Sequence, residues 1–189
     1  MPYYFNNYQT VDYDLKKNGK FVTLTDVTAR YRLKRLLQDK GVIFYDYEVK
    51  DSDRPDVIAQ KFYGDGSLDW IIFITNDIID PYYDWPMTTN NFNNYIKSKY
   101  GSLSAAQGTI HHYEQILRNG FVHTDGTIVN EKVVEVDLTT YNSLPGSSRR
   151  IVYQYEYEEK LNNDKRTIKL LDARYVQDIV TEASNIFNG

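Results

Sequence analysis

The segment LDWIIFITN, residues 68–76, constrains the fold more than any other part of this chain. It is too short to persist as an isolated helix, and it is apolar on nearly every side, so it has to be buried on more than one face. Whatever the chain folds into must therefore supply packing partners on at least two sides of one short helix.

The stretch before it, DRPDVIAQKFYGDGS, reads as a second short helix. Asp53 is spaced to accept a hydrogen bond from the backbone N–H of Asp56. Pro55 sits in the first turn, where its missing N–H costs nothing, and Ile58 and Phe62 form a buried stripe. Gly64-Asp65-Gly66 breaks this helix, Ser67 caps the next, and Asn76 ends it in a left-handed conformation. Upstream, VIFYDYEV has the β-branched and aromatic content of a strand. The sequence thus predicts a strand at 43–49 and helices at 54–63 and 67–75.

Charge and composition narrow the function. The longest apolar run, Trp70 to Ile74, cannot span a bilayer. The net charge of -4 gives no overall attraction to nucleic acid or to an anionic membrane, and neither is expected as a partner. With no cysteine there is no disulfide, thiolate metal site or cysteine nucleophile, which agrees with assembly in a reducing cytoplasm. The opening MPYYFNNYQTV lacks the basic-then-apolar order of a secretory signal, so export by that route is not expected. Tyrosine stands out at 18 residues, and its broad apolar face with a polar tip suits half-buried contacts, favouring an interaction protein over an enzyme.

Along the rest of the chain, residues 1–25 read as an aromatic and polar arm with a turn at Asn18-Gly19. A helix follows to about Lys40, capped by Thr25 or Asp26. One face of it carries Arg30, Arg32, Lys34, Arg35 and Lys40; a solvated face or a partner's carboxylates suit it better than phosphate in an acidic chain. After Asn76, Pro81 and Pro86 forbid regular strand pairing, so the strand that should close the sheet has to come from elsewhere. TIKLL near 166–171 is the best short strand available. Residues 77–165 then become an inserted elaboration, with a helix from Thr88 through Phe92, Tyr95, Ile96 and Lys99, and a hairpin turning at Asp125-Gly126. A strand is expected near 133–138. Residues 147–163 read as a helix started by Ser147 or Ser148, although Ile151, Tyr153, Tyr155 and Tyr157 alternate as in a strand. Asp172 caps a last helix striped by Val176, Ile179, Val180, Ala183 and Phe187, suited to docking on the chain's own core or on another subunit.

No catalytic or metal-binding set emerges. His111 and His112 are adjacent and should point to opposite faces of a strand, away from a shared metal with His123 and Glu114. Asp51, Asp53 and Asp56 fail the calcium-loop pattern, because Pro55 and Asp56 fall where a ligand and a glycine are required. No cofactor is expected.

The residues also carry a resemblance. SDRPDVIAQKFYG followed by LDWIIFITN is similar to the LysM pattern, and YDYEVKDSDRPDVIAQKFYGDGSLDWIIFITNDIIDPYYDWP resembles the LysM-like baseplate wedge proteins of contractile-tailed bacteriophages. VTLTDVTARYRLKRLL and EYEEKLNNDKRTIKLLDARYV resemble that family's flanking segments. The resemblance implies an α+β fold: a LysM-like core of 42–76 plus 166–171, preceded by an arm and basic helix over 1–41, interrupted by the elaboration, and followed by a C-terminal helix over 172–189. It implies a non-enzymatic wedge component in the virion tail baseplate, assembled in the host cytoplasm. Its partners would be other wedge subunits and the sheath-initiator ring, with the central hub a further candidate. Candidate contact residues are Tyr3, Tyr4, Phe5, Arg30, Arg32, Arg35, Tyr82, Tyr83 and Trp85. The alternative is a LysM module that binds N-acetylglucosamine chains of peptidoglycan.

Overall fold

The computed structural model describes residues 8–26 and 44–188. Residues 1–7 and 27–43, which hold the start of the expected arm with Tyr3, Tyr4 and Phe5 and the expected basic helix with Arg30, Arg32 and Arg35, lie outside the described residues. The fold is α+β, and the chain divides into two compact units, residues 1–86 with 165–189, and residues 87–164.

The first unit opens with a hairpin of β1 (Thr10–Tyr13) and β2 (Val22–Thr25). The turn expected at Asn18-Gly19 is present, with Gly19 at φ 75°. Strand β3 (Phe44–Glu48) leads into α1 (Pro55–Tyr63), a 3-10 turn (Gly66–Leu68) and α2 (Asp69–Thr75). A one-turn helix α3 (Pro81–Asp84) follows. The chain returns to this unit as β9 (Thr167–Leu171), which pairs antiparallel with β3 from Phe44↔Leu171 to Glu48↔Thr167. The closing strand therefore comes from the distant TIKLL segment, as the two prolines required.

The all-round apolarity of LDWIIFITN has a direct structural reason. Trp70 and Ile71 of α2 join one buried cluster with Tyr8, Leu171, Val176, Ile179 and Ala183. Ile72 faces a second, with Val49, Ile58, Ala59, Ile168 and Leu170. The C-terminal helix α8 (Val176–Asn188) supplies part of the first cluster, so it docks on the chain's own core. Asp172 caps the 3-10 turn Ala173–Tyr175 that leads into α8, accepting from Arg174 N–H at 3.0 Å, and the Tyr45 hydroxyl donates to the same carboxylate at 2.9 Å.

Four local expectations are corrected. Asp53 does not cap α1: its carboxylate accepts the Tyr47 hydroxyl at 2.7 Å and Lys50 N–H at 3.0 Å, and Arg54 takes the cap position without a side-chain bond. The next helix is started by Asp65, which accepts from Ser67 N–H, and not by Ser67. Asn76 has φ -108°, and the left-handed residue is Asp77 at φ 53°. Phe62, expected on a buried stripe, is exposed and packs edge-on against Tyr47. Between the helices, Gly64 adopts φ 80° and a side chain at Gly66 would meet the Asp56 carbonyl oxygen at 3.1 Å, so both need glycine.

In the second unit, Thr88 caps α4 (Thr89–Tyr100), Ser102 caps α5 (Leu103–Gly108), and β4 (Ile110–Arg118) becomes the centre of a three-stranded antiparallel sheet. A small hairpin of β5 (Phe121–Val122) and β6 (Ile128–Val129) turns at Asp125-Gly126, as its sequence predicts. Strand β7 (Lys132–Val136) flanks β4 on one side. Helix α6 (Leu138–Ser143), capped by Asp137, precedes β8 (Arg149–Tyr153) on the other side. The helix expected from Ser147 or Ser148 begins only at α7 (Gln154–Asp164). The alternating residues before it are captured as a strand because β4 offers a free edge.

The apolar core of this unit is small: Phe92, Ile96 and Ala106, with Met87, Tyr95, Tyr100, Leu103 and Tyr155 around it. Polar groups complete it. The Asn162 carboxamide accepts from Met87 N–H and donates to Met87 C=O, and the buried Glu158 accepts from Lys99, Tyr95 and Tyr100.

Candidate functional site

Residues 76–86, NDIIDPYYDWP, form a rigid exposed knob on the first unit. Its two ends are pinned. At the start, Asn76 Nδ2 donates to the carbonyls of Ile72 and Lys169, and Lys169 N–H donates back to Asn76 Oδ1 at 2.7 Å. At the end, Trp85 packs edge-on against Phe73, its indole N–H donates to the Asp53 carbonyl, and Pro86 is buried. Trp85 itself is half-buried beside the second core cluster.

Between those ends the backbone is held by its own aspartates. Asp80 accepts from Tyr82 N–H at 3.0 Å and starts α3 with Pro81 in the first turn. Asp84 Oδ2 accepts the N–H groups of Ile79 and Asp80, and Lys165 Nζ donates to the Tyr83 carbonyl at 2.6 Å. The side chains left outward are Ile79, Tyr82 and Tyr83, with Tyr82 82% exposed and its ring edge-on to Tyr83 at 5.2 Å. Exposed aromatics carried on a backbone held by hydrogen bonds lose little main-chain freedom on binding, which suits an interface anchor. Tyr82, Tyr83 and Trp85 thus occur together: two display outward and the third fastens the display.

Among the described residues, several titratable side chains elsewhere are engaged in structural contacts. Burial acts to raise Glu158, but the bonds from Lys99 and Tyr100 outweigh it and hold the carboxyl below its ordinary value. The same balance lowers Glu114, where burial is opposed by Arg150 and His112. Arg150 binds Glu114 and also reaches Glu131 at 3.0 Å. Burial, helped by Asp53, pushes the Tyr47 phenol up to about 12.

The histidines correct one expectation. A register shift between Ile110 and His112 puts the rings of His111 and His112 5.0 Å apart, with the two Nδ1 atoms at 2.7 Å, instead of on opposite faces. His111 stacks on Tyr157 at 3.8 Å, and His112 Nε2 lies 3.3 Å from Glu114. Among the described residues no group of three or more His, Asp or Glu side chains is arranged to hold a metal, and no helix is long and apolar enough to cross a membrane.

A further surface was missed from sequence. Cross-strand partners share a face, so Val11, Tyr13, Val22 and Leu24 line one side of the β1–β2 hairpin and Thr10, Asp12, Thr23 and Thr25 the other. All four apolar residues are exposed. The signal was present as alternation on both sides of Asn18-Gly19, but only the pairing register shows that the two runs coincide.

The family model described as Base plate wedge protein 53 matches residues 3–125, from before the hairpin through the knob and into the β5–β6 turn. The baseplate wedge protein gp53 of Enterobacteria phage T4 is 34% identical over 86 residues, which is 43% of this chain and 43% of that protein. The chain thus spans less than half the length of the curated relative it matches. The extent of the family match settles membership: this chain belongs to the Base plate wedge protein 53 family.

Proposed function

We propose that this protein is a structural component of a contractile-tail baseplate wedge, joining neighbouring wedge subunits around the central hub, and that it performs no catalysis. The observation that carries the reading is the knob of residues 76–86: a backbone pinned at both ends presenting Tyr82 and Tyr83 to solvent, in a member of a wedge family. Such a surface has the aromatic content and rigidity of a protein interface and no group poised for bond making. The strand–helix–helix–strand order of β3, α1, α2 and β9 supports reading the first unit as a LysM-like fold reused for protein contacts. The glycan-binding alternative draws no support from the family match.

In this reading the protein resides in the virion tail baseplate after assembly in the host cytoplasm. Its partners are other wedge subunits, the sheath-initiator ring and the hub. Tyr3, Tyr4, Phe5 and the arginines Arg30, Arg32 and Arg35 would add contacts to those of the knob. Quantitative mass spectrometry of purified phage particles tests it. Presence in a multiple of six relative to the tail's ring proteins is the expected result; absence from particles overturns the reading.

A further inference from the structure

Two exposed surfaces of the first unit carry opposite charge around apolar centres. The tip of the β1–β2 hairpin displays Leu15 and Phe21, the latter 68% exposed, beside Lys16, Lys17 and Lys20. The nearby Asp14 carboxylate accepts the backbone N–H groups of Lys16, Asn18 and Gly19, fixing the turn. Behind the tip runs the apolar face of Val11, Tyr13, Val22 and Leu24. The knob displays Ile79, Tyr82 and Tyr83 beside Asp77, Asp80 and Asp84, all exposed, so three carboxylates outnumber the lysine, Lys165, that is bonded to its backbone at the Tyr83 carbonyl. None of these lysines or aspartates is in an ion pair among the described residues.

From this complementarity we propose that the hairpin of one copy docks on the knob of a second copy, in a head-to-tail contact. The charges select that arrangement. Hairpin against hairpin opposes lysines to lysines, and knob against knob opposes aspartates to aspartates, so both symmetric pairings are disfavoured while the mixed pairing is attractive. A contact joining different surfaces leaves one of each free at the ends of a pair, so it propagates from copy to copy and closes only if the rotation between neighbours allows a ring. The patch is small for a stable interface, so the contact is weak between free chains and gains strength when other subunits hold the copies side by side. The inference rests on the reading of the knob as a wedge interface and names its partner.

The absence of native cysteine makes a direct test available. Leu15→Cys in nitrogen-15-labelled protein is mixed with unlabelled Tyr83→Cys at about 0.5 mM, a concentration suited to a weak interface, and treated with a short bismaleimide. Mixed-mass dimers are expected to exceed either like-with-like product by about tenfold, as charge selection of the pairing requires. Adding Lys16→Glu, Lys17→Glu and Lys20→Glu to the hairpin protein should abolish that excess. Raising ionic strength from about 0.1 M to about 1 M, which shortens the screening length from about 10 Å to about 3 Å, should reduce it several-fold. Mixed dimers no more frequent than random pairing, or an excess that survives charge reversal, overturn the inference. The wedge reading is judged separately by particle composition, so a random cross-linking pattern with the chain still present in particles would assign the knob to a different wedge subunit.

Discussion

Asn76 completes the outer edge of β9 by exchanging two hydrogen bonds with the main chain of Lys169, Nδ2 to its carbonyl at 2.9 Å and its N–H to Oδ1 at 2.7 Å. Because both main-chain groups of Lys169 point to Asn76, they point away from β3, and the two-stranded sheet acquires a side-chain substitute for a third strand. The same carboxamide also takes the Ile72 carbonyl at the end of α2. One residue therefore couples helix end, strand edge and the start of the knob.

Asn76→Ala should cost about 2–3 kcal/mol, since three bonds are lost and the Lys169 groups must find water. Asn76→Asp should be no better, because a carboxylate can accept from Lys169 N–H but opposes the two carbonyls. Denaturant unfolding gives the cost, and faster hydrogen exchange at the Lys169 amide locates it. An unchanged Lys169 amide in Asn76→Ala would refute the edge-cap role.

Tyr82 and Trp85 should separate cleanly. Trp85→Ala removes packing against Phe73 and the second cluster and should destabilise by about 2–3 kcal/mol. Tyr82→Ala, at an exposed position, should change stability by no more than about 0.5 kcal/mol. Incorporation into baseplates should fall for both, but for Tyr82→Ala it should fall without loss of soluble folded protein. Full incorporation of Tyr82→Ala would remove Tyr82 from the interface.

The second unit should weaken in acid through Glu158 and Glu114. Both carboxyls sit below their ordinary value when folded, so their stabilisation is fully present above the unfolded glutamate value, about 4.3, and is lost as pH falls through the lowered folded value. Glu158→Gln should lower stability near neutral pH by about 1–3 kcal/mol, because Lys99, Tyr95 and Tyr100 lose a charged acceptor. It should also flatten the acid limb of the stability profile. Stability curves measured from pH 7 to pH 3 check both; parallel acid limbs in the two proteins would contradict the linkage.

Asp53→Ala should loosen the turn at 50–53 and not the first turn of α1, because the carboxylate serves Tyr47 and Lys50. The expected cost is about 1–2 kcal/mol. The Tyr47 phenol, held up to about 12 partly by Asp53, should titrate at lower pH in the variant. Hydrogen exchange that accelerated at Asp56 to Ile58 alone would restore Asp53 as the helix cap.

Much of the first unit was legible because its signals are local. Pro55, the Gly64-Asp65-Gly66 break and the all-apolar 68–76 run each act on their immediate neighbours, and Pro81 and Pro86 excluded the adjacent closing strand. The caps were misplaced by one or two residues because acceptors compete: Tyr47 and Lys50 took Asp53, and Asp65 preceded Ser67. In the second unit, His111 and His112 were placed on a strand, but nothing local showed that this strand, β4, is the centre of a three-stranded sheet. Its buried Glu114 is tolerable only because Arg150, 36 positions away, reaches it from β8.

By itself the sequence determined the order of helices and strands from residue 44 to Asn76 and the need for a remote closing strand. These follow from backbone restrictions and short-range periodicity, which act within a few residues. Tertiary structure alone decided that α2 is shared between two apolar clusters, that α8 folds back onto one of them, and that Asn76 stands in for a missing strand beside Lys169. It also decided that four apolar side chains of β1 and β2 fall on one exposed face. Each depends on which distant groups meet, and that is set by packing and pairing register, which no local pattern encodes.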